Sequence, residues 1–285
     1  MIKNLQNIQP ISFSKLIHAK HIAIPSEHGA WIFLFSPLLI GLAIGGLSKG
    51  SFPLMLAMLS AFLIRQPVTM FVKIISGRRP KNDLYASLIW FLIYGVVLLI
   101  SLVILILQKS IFILFLAVPA IPVFIWHLWL VSKRAERRQI WIEIAASGVL
   151  ALAAPAAYWV GLQRYDSIGW LLWGLSWLQV AGTILYAYLR LNQRQLKEKP
   201  TLRELIKMSR DSFLFNTALF AGVLILAFAG WVPTFLPLAF LIQPLEVIWG
   251  TYHPAISVAP KKIGIRQLII SSLFTIVFII TWLLV

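Results

Sequence analysis

The sequence predicts an all-α membrane protein in which about nine transmembrane helices form one domain over residues 1–285. Of its 285 residues, 60% are hydrophobic and only 12% are charged, whereas a soluble domain carries about 25% charged residues. Nine apolar segments approach the roughly 20 residues that a helix needs to cross a bilayer. Lys and Arg cluster between alternate segments. This composition excludes a soluble globular domain, a disordered chain and a disulfide-rich scaffold.

The nine segments are separated by short connections that leave no room for a second, soluble domain. In chain order they are Ala30–Leu47, Phe52–Val72, Leu84–Leu107, Ile111–Val131, Ile140–Leu162, Ile168–Leu189, Ser212–Gly230, Trp231–Gly250 and Gln267–Val285. Gly230 and Pro233 interrupt the apolar stretch between the seventh and eighth segments, so we expect a tight hairpin there.

The net charge of +16 is explained largely by orientation rather than by nucleic acid, which we do not expect as a partner. Lys and Arg accumulate in cytoplasmic loops. With the N-terminus in the cytoplasm, 21 of the 25 basic residues fall in inside segments, and only Lys49, Lys109 and Arg164 fall outside. The predicted topology therefore places the N-terminus in the cytoplasm and the C-terminus outside. Arg65 is the one basic residue within a helix.

The N-terminal segment, residues 1–28, is predicted to be cytoplasmic, and its mixture of apolar and basic residues fits a short interfacial helix. The first membrane helix opens with the sequence Pro-Ser-Glu-His-Gly-Ala-Trp at positions 25–31. Ser26 can cap this helix and Glu27 suits its positive end. Capping does not require His28 or Trp31, so we treat His28 as a candidate proton donor and Glu27 and Trp31 as candidate cavity-lining residues.

Arg65 is the strongest polar candidate because an ionisable residue at bilayer depth costs at least about 2.5 kcal/mol on insertion scales. It precedes Gln66 and Pro67, and a proline inside a helix frees a backbone carbonyl and favours a kink. This arrangement fits the lining of a polar cavity. The alternative is that Arg65 extends to the headgroups.

The eighth segment carries a second polar set. Glu246, Trp249 and His253 are spaced so that they share one helical face, which Gln243 extends toward the membrane interior. Glu246 and His253 join His28 as candidate catalytic groups, and Gln243 is a candidate lining residue. Glu143, in the fifth segment, is expected to pair with the basic cluster that precedes it.

Basic residues also follow helical spacing near the inside ends of other segments. Tyr186, Arg190, Arg194 and Lys197 are predicted to share one face, with Tyr186 lining the cavity. The candidate residues for binding a phosphate or an anionic lipid are Arg65, Arg78, Arg79, Lys133, Arg134, Arg190 and Arg194. Arginine binds phosphate with two parallel hydrogen bonds. The alternative is that these residues hold ordinary anionic lipid at the membrane surface.

Two resemblances refine this interpretation. Pro25–Leu42, followed by Arg65-Gln66-Pro67, resembles the YwiC-like family of bacterial integral membrane proteins, which implies no particular activity. The whole chain is similar, more distantly, to the UbiA superfamily of intramembrane prenyltransferases. That likeness rests on nine helices and on three short motifs: Arg79-Pro80, Lys133-Arg134 and Tyr186-Ala-Tyr188.

The UbiA resemblance implies a UbiA-like bundle, but the metal-binding motifs differ. UbiA enzymes hold magnesium through two Asp-rich motifs, whereas residues 65–69 and 190–194 here contain arginine and no aspartate. The sequence also lacks the GxxxxGK[ST], HExxH and DxxxD motifs. We therefore predict no metal site, no bound magnesium and no other cofactor.

The sequence favours a membrane protein with a cytoplasm-facing polar cavity that binds an isoprenoid or another anionic lipid. A prenyltransferase-like activity without Asp-bound magnesium is compatible with this interpretation, and whether the protein is an enzyme stays open. The alternatives are a non-catalytic assembly or scaffold protein with a membrane protein partner, and a small-solute transporter. The expected location is the bacterial plasma membrane, and the oligomeric state is not predicted.

Overall fold

The computed structural model describes residues 20–25, 28–135 and 139–284, apart from the side chains of residues 20, 21 and 28. No strand occurs in this part of the chain, and the α-helices of ten or more residues are labelled in chain order. They are α1 His28–Gly45, α2 Ser51–Ile75, α3 Leu84–Leu107, α4 Ala117–Ser132, α5 Ile140–Ala151, α6 Ala153–Leu162, α7 Ile168–Gln193, α8 Leu202–Phe228, α9 Pro237–Tyr252 and α10 Pro260–Leu283. Shorter helical turns span Lys20–Ala23, Lys81–Asp83 and Ile111–Leu116.

The helices confirm the predicted polytopic helical bundle. Seven helical segments are long and apolar enough to cross a membrane: Ser51–Ile75, Lys81–Leu107, Ile111–Ser132, Ile140–Leu162, Ile168–Gln193, Leu202–Phe228 and Pro260–Leu283. The other two predicted segments coincide with α1, which has 18 residues, and α9, which has 16. Each predicted segment therefore corresponds to helical structure.

Several predicted boundaries were wrong. The fifth segment is broken at Leu152, between α5 and α6. The eighth begins at Pro237 rather than Trp231, because residues 229–236 form the connection, in which Gly230 adopts a φ of 73°. α8 begins ten residues before Ser212, at Leu202, where Thr201 and Glu204 form a reciprocal capping box. That four-residue signature was visible in the sequence.

Two compact units divide the chain. The first contains the described residues of Met1–Ser26, Phe52–Gln108 and Ile125–Arg137. Within it, the hydroxyl of Tyr94 in α3 donates a hydrogen bond of 2.9 Å to the carbonyl oxygen of Ala23. The guanidinium of Arg78 donates to the carbonyl oxygen of Val131 at the end of α4. The residues that follow α2 are therefore tied to the C-terminus of α4.

The second unit contains the described residues of Glu27–Ser51, Lys109–Phe124 and Arg138–Val285. At its centre lies α7, which packs against α1, α5, α6, α8, α9 and α10. Trp159, Tyr186, Phe274 and Phe278 are its largest fully buried side chains. Because α7 is surrounded, its polar residues lie in the interior of the unit rather than toward lipid.

Small residues bring α1 and α6 into close contact. A β-carbon added to Gly41 would collide with the carbonyl oxygen of Ala154, and one added to Gly45 would lie 2.5 Å from that of Tyr158. Glycine and alanine allow membrane helices to pack backbone against backbone. Across α1 and α10, the hydroxyls of Ser36 and Thr275 share a hydrogen bond of 2.5 Å.

Candidate functional site

The second unit brings a set of charged and aromatic side chains together where the C-terminal ends of α7 and α9 meet the N-terminal part of α10. We call Tyr186, Arg190, Glu246, Trp249 and Arg266 the α7–α9–α10 cluster. Tyr186 and Arg190 lie one turn apart on α7, and Glu246 and Trp249 lie one turn apart on α9. Tyr186, Arg190 and Glu246 are buried. Helical spacing thus places Tyr186, Arg190 and Glu246 on inward faces, whereas Trp249 stays partly exposed beside them.

Glu246 is the acceptor at the centre of the cluster. Its Oε1 accepts hydrogen bonds from Nε of Arg266 at 2.5 Å and from the hydroxyl of Tyr186 at 3.0 Å. Its Oε2 accepts from Nη2 of Arg266 at 2.7 Å. This two-point pairing is the strongest geometry available to a carboxylate and a guanidinium. It compensates the burial of the carboxylate, whose side chain is only 4% exposed.

Arg190 is held by the end of α9 rather than by a carboxylate. Its Nη1 lies 2.8 Å from the carbonyl oxygen of Gly250, 2.7 Å from that of His253 and 2.8 Å from Oε1 of Gln193. The last carbonyls of a helix lack partners within the helix and carry partial negative charge. Arg190 therefore stabilises the C-terminus of α9. Its Nε and Nη2 make no hydrogen bond to the described residues.

Trp249 is the aromatic centre of the cluster. The guanidinium carbon of Arg266 lies 3.3 Å from the centroid of the indole, and that of Arg190 lies 5.5 Å away. Cations are attracted to the face of an indole ring. The imidazole of His253 stacks on the same indole, with centroids 4.8 Å apart, and its Nδ1 lies 3.0 Å from the carbonyl oxygen of Trp249.

An open cleft of about 570 Å³ adjoins the cluster. Arg190, Lys262 and Arg266 provide its positive charge, and Trp249 and Gln267 complete its polar and aromatic lining. The remaining walls are aliphatic and comprise Val258, Ile263, Ile265, Ile269 and Ile270. The cleft therefore combines a cationic end with apolar walls.

Gly250 is required where α9 crosses Tyr186, and its replacement provides a test of this geometry. A β-carbon at this position would collide with the Tyr186 hydroxyl that donates to Glu246. We expect Gly250→Ala to lower the free energy of unfolding by about 1–3 kcal/mol, as overpacking does. Thermal unfolding in detergent measures the effect.

The matched control for that variant is Gly264→Ala, because Gly264 lies in α10 with open space around it. We expect this control to raise the unfolding free energy by up to about 1 kcal/mol, since alanine favours helix more than glycine does. Equal unfolding temperatures of Gly250→Ala and Gly264→Ala would contradict the close contact between Gly250 and Tyr186.

Three members of the site lie outside the sequence-based predictions. Arg266 and Lys262 were assigned to a loop because the ninth segment was expected to begin at Gln267, whereas α10 begins at Pro260. Gln193, fully buried, accepts from Arg190 and from the backbone nitrogen of Ala255. Pro260 at the first helical position was the available signal for this earlier start.

Other candidates of the second unit have different surroundings. Arg194 donates through Nε to the carbonyl oxygen of Val258 at 3.2 Å, so it holds the connection between α9 and α10. Lys197 lies beyond the end of α7, so the predicted basic face extended too far along the chain. Glu143 accepts a hydrogen bond of 2.6 Å from the hydroxyl of Tyr188. Gln243 is buried one turn from Glu246.

The N-terminal candidates are only partly described. Glu27 and Ser26 lie outside the described residues, as does most of the predicted interfacial helix. His28 is the first residue of α1. Trp31 stacks on Phe35 one turn later, with ring centroids 5.9 Å apart. A lining role for these residues stays a prediction.

The first unit holds the other basic candidates. Arg65 lies within α2, half-buried, with its guanidinium 5.9 Å from the ring centroid of Phe62. Arg79 forms an ion pair of 3.2 Å with Asp83. Lys133 and Arg134 follow α4, where Arg134 adopts a φ of 61°. Because Arg65 and Arg190 belong to different units, their predicted shared cavity stays a prediction.

Within the described chain, no three His, Asp or Glu side chains are grouped as a metal site would require.

Two comparisons with known proteins match part of the chain. Residues 24–158 match a family model described as YwiC-like protein. A relative from Bacillus subtilis (strain 168), described as uncharacterized protein YwiC, is 27% identical over 172 residues, which are 60% of this chain and 68% of the relative. No solved structure matches the chain. The predicted YwiC-like resemblance is therefore confirmed, and the region matched by the family model ends before the α7–α9–α10 cluster.

Proposed function

We propose that this membrane protein, whose residues 24–158 are YwiC-like, binds an anionic lipid in the cleft beside the α7–α9–α10 cluster. The single observation that carries the proposal is the composition of that cleft. Its cationic end holds Arg190, Lys262 and Arg266, and aliphatic side chains of α10 form its walls. A phosphate-bearing headgroup fits the cationic end, and a hydrocarbon chain fits the space between the aliphatic walls.

The charge of the cleft favours an anion. Three cationic side chains line the cleft, whereas one carboxylate, that of Glu246, pairs with Arg266 within the cluster. Arg266 is partly compensated by that pairing, but Arg190 binds only neutral oxygens among the described residues. Bringing an anion to this end therefore compensates charge that the protein leaves unbalanced. Arginine also has the planar donor geometry that suits phosphate.

The position of the charges along the helices favours a lipid headgroup over a soluble anion. Arg190 lies in the last turn of α7, and Arg266 lies six residues after the start of α10, which is about 9 Å along the helix axis. The cleft also reaches Lys262 in the first turn of α10, where the helix dipole favours negative charge. Helix ends of a spanning bundle lie at headgroup depth.

The aliphatic part of the cleft favours an occupant with a hydrocarbon chain. Ile265 and Ile269 are exposed on α10 and lie along the cleft. In a bilayer these side chains contact lipid tails. A lipid could therefore reach the cationic end of the cleft without leaving the membrane. An isoprenoid chain and an acyl chain would both make apolar contacts with these aliphatic side chains. The apolar helices and the bacterial relative support a location in the bacterial plasma membrane.

Charge reversal of Lys262 tests the proposal. Lys262→Glu is expected to weaken binding of phosphatidylglycerol or a polyprenyl phosphate at least tenfold, because one basic residue near an anionic headgroup contributes about 1 kcal/mol and reversal roughly doubles this. Native mass spectrometry of the purified protein, titrated with each lipid, measures the affinity. Phosphatidylcholine serves as the neutral comparison.

The matched control is Lys261→Glu, which changes the net charge equally at the neighbouring exposed position but does not line the cleft. We expect this variant to retain most of the binding. If both variants lose affinity to the same extent, binding reflects overall charge, and the cleft is not the site. If neither variant changes affinity, the proposal is wrong.

A further inference from the structure

Two glutamine side chains inside the second unit make none of the hydrogen bonds described above, although one of them, Gln267, also lines the cleft. Gln243 on α9 and Gln267 on α10 are 4% and 8% exposed. In both, the amide nitrogen and the amide oxygen are buried and have no hydrogen-bond partner among the described residues. In a membrane interior an amide without partners is costly, so both side chains require a hydrogen-bonding partner.

Gln243 lines a small, partly open space between α7, α8, α9 and α10. Gln179, Asn216 and Gln243 supply its polar lining, and the remaining walls are apolar, with Phe240 and Phe274 among them. Its volume of about 10 Å³ is close to the minimum for one water molecule. We call it the amide cavity.

The other two amides of this cavity direct their donors elsewhere. Nε2 of Gln179 donates to the hydroxyl of Thr183 at 3.1 Å. Nδ2 of Asn216 donates to the carbonyl oxygen of Ser212 at 2.8 Å. Among the described residues, the hydrogen bonds of these two side chains all run from the amide nitrogen, and none reaches the amide oxygen. An occupant would therefore find acceptors on Gln179 and Asn216, and both a donor and an acceptor on Gln243.

The lining also limits the chemistry of the occupant. No charged side chain lines the amide cavity among the described residues, and an ion at this depth would not be compensated. Ile270 lines both the amide cavity and the cleft, so the two spaces adjoin the same side chain. A route from the cleft to Gln243 would therefore pass Ile270.

We propose that Gln243 binds one small uncharged hydrogen-bonding group in the amide cavity. The group is a water molecule or the hydroxyl or carbonyl oxygen of a ligand that enters from the cleft. Such a group accepts from the amide nitrogen of Gln243 and, as a water or hydroxyl, donates to a neighbouring amide oxygen. This proposal concerns a different site from the cationic end of the cleft and does not depend on lipid binding there.

Hydroxyl-radical footprinting by X-ray irradiation of the full chain in nanodiscs tests the proposal, because radicals form from bound water and oxidise adjacent side chains. Phe240 and Phe274 line the cavity and are themselves buried, so their oxidation reports water in the cavity. We expect both to be oxidised in the wild type and unoxidised in Gln243→Leu, which removes the amide without adding an easily oxidised sulfur. The matched control is Gln108→Leu, at the end of α3, which should leave their oxidation unchanged.

Two further conditions identify the occupant. If Phe240 and Phe274 are oxidised only after lipid is stripped from the protein, a ligand group occupies the cavity in the native state. If they are oxidised equally with and without lipid, the occupant is water. Absence of oxidation in both lipid states, or oxidation that persists in Gln243→Leu, would overturn the proposal.

Thermal unfolding provides an independent measurement. If Gln243 binds a polar group, Gln243→Met should lower Tm, because the hydrogen bonds to that group are lost. If the amide has no partner, the apolar replacement should raise Tm, and the proposal fails. An unchanged lipid affinity in Lys262→Glu would contradict the proposed function alone and would leave this site standing.

Discussion

Replacement of Glu246 by glutamine is expected to lower the free energy of unfolding by about 3 kcal/mol, because breaking a buried ion pair leaves its partner without compensation. Glu246 accepts from both Arg266 and Tyr186, and its carboxylate is buried. The amide that replaces the carboxylate has only one acceptor oxygen. Its NH2 group would face Arg266 or Tyr186, which are both hydrogen-bond donors, so at least one hydrogen bond is lost. The partly exposed guanidinium of Arg266 places the effect at the lower end of the range for buried pairs. Equilibrium unfolding in mixed detergent micelles measures it.

The control for Glu246→Gln is Arg79→Gln, which breaks the exposed ion pair with Asp83. An exposed pair contributes about 0–1 kcal/mol, so this variant should differ little from the wild type. The double replacement Glu246→Met with Arg266→Met removes both charges and should recover part of the loss. If Glu246→Gln unfolds like the wild type, the buried carboxylate does not hold the cluster together.

Replacement of Gly41 by alanine should have a comparably large effect. The added β-carbon would collide with the backbone carbonyl of Ala154 and would also meet the β-carbon of Ala157. A backbone group cannot rotate away as a flexible side chain can. We therefore expect α1 and α6 to separate, at a cost of about 3 kcal/mol, the upper end of the usual range for overpacking.

The control for Gly41→Ala is Gly222→Ala, in α8, where a β-carbon meets nothing within 4 Å. Alanine should be neutral or stabilising there, by up to about 1 kcal/mol. Thermal unfolding of both variants in the same detergent gives the comparison. A Gly41→Ala protein as stable as the Gly222→Ala protein would show that α1 and α6 do not pack closely.

The number of apolar spans was predictable from the sequence because crossing a bilayer requires long apolar runs. Each predicted segment coincides with helical structure, and the fifth comprises two helices, α5 and α6. Helix ends were less predictable. α8 and α10 begin with polar, charged turns that a search for apolar residues omits, at Leu202 and Pro260. The break at Leu152 was also missed, because the residues on both sides of it are apolar and small.

The candidate site was predictable only within single helices. Helical spacing identified Tyr186 with Arg190, and Glu246 with Trp249 and His253, because residues one or two turns apart share a face. Which helices meet could not be read from spacing, so the ion pair between Glu246 and Arg266, 20 residues apart, was missed. The same limit explains why the contacts of Arg190 Nη1 with the last carbonyl oxygens of α9 were not predicted.

Cross-linking with a photoactivatable phospholipid tests the central claim that the cleft beside the cluster binds an anionic lipid. The probe carries a diazirine in its hydrocarbon chain and either a phosphoglycerol or a phosphocholine headgroup. Peptide mapping should place phosphoglycerol cross-links on the cleft residues Ile265, Ile269 and Ile270, and Lys262→Glu should remove them. Exposed residues of α3, such as Leu92 and Leu99, should react equally with both probes. If the cleft and α3 show the same dependence on headgroup, the cleft is ordinary lipid-facing surface and the account is contradicted.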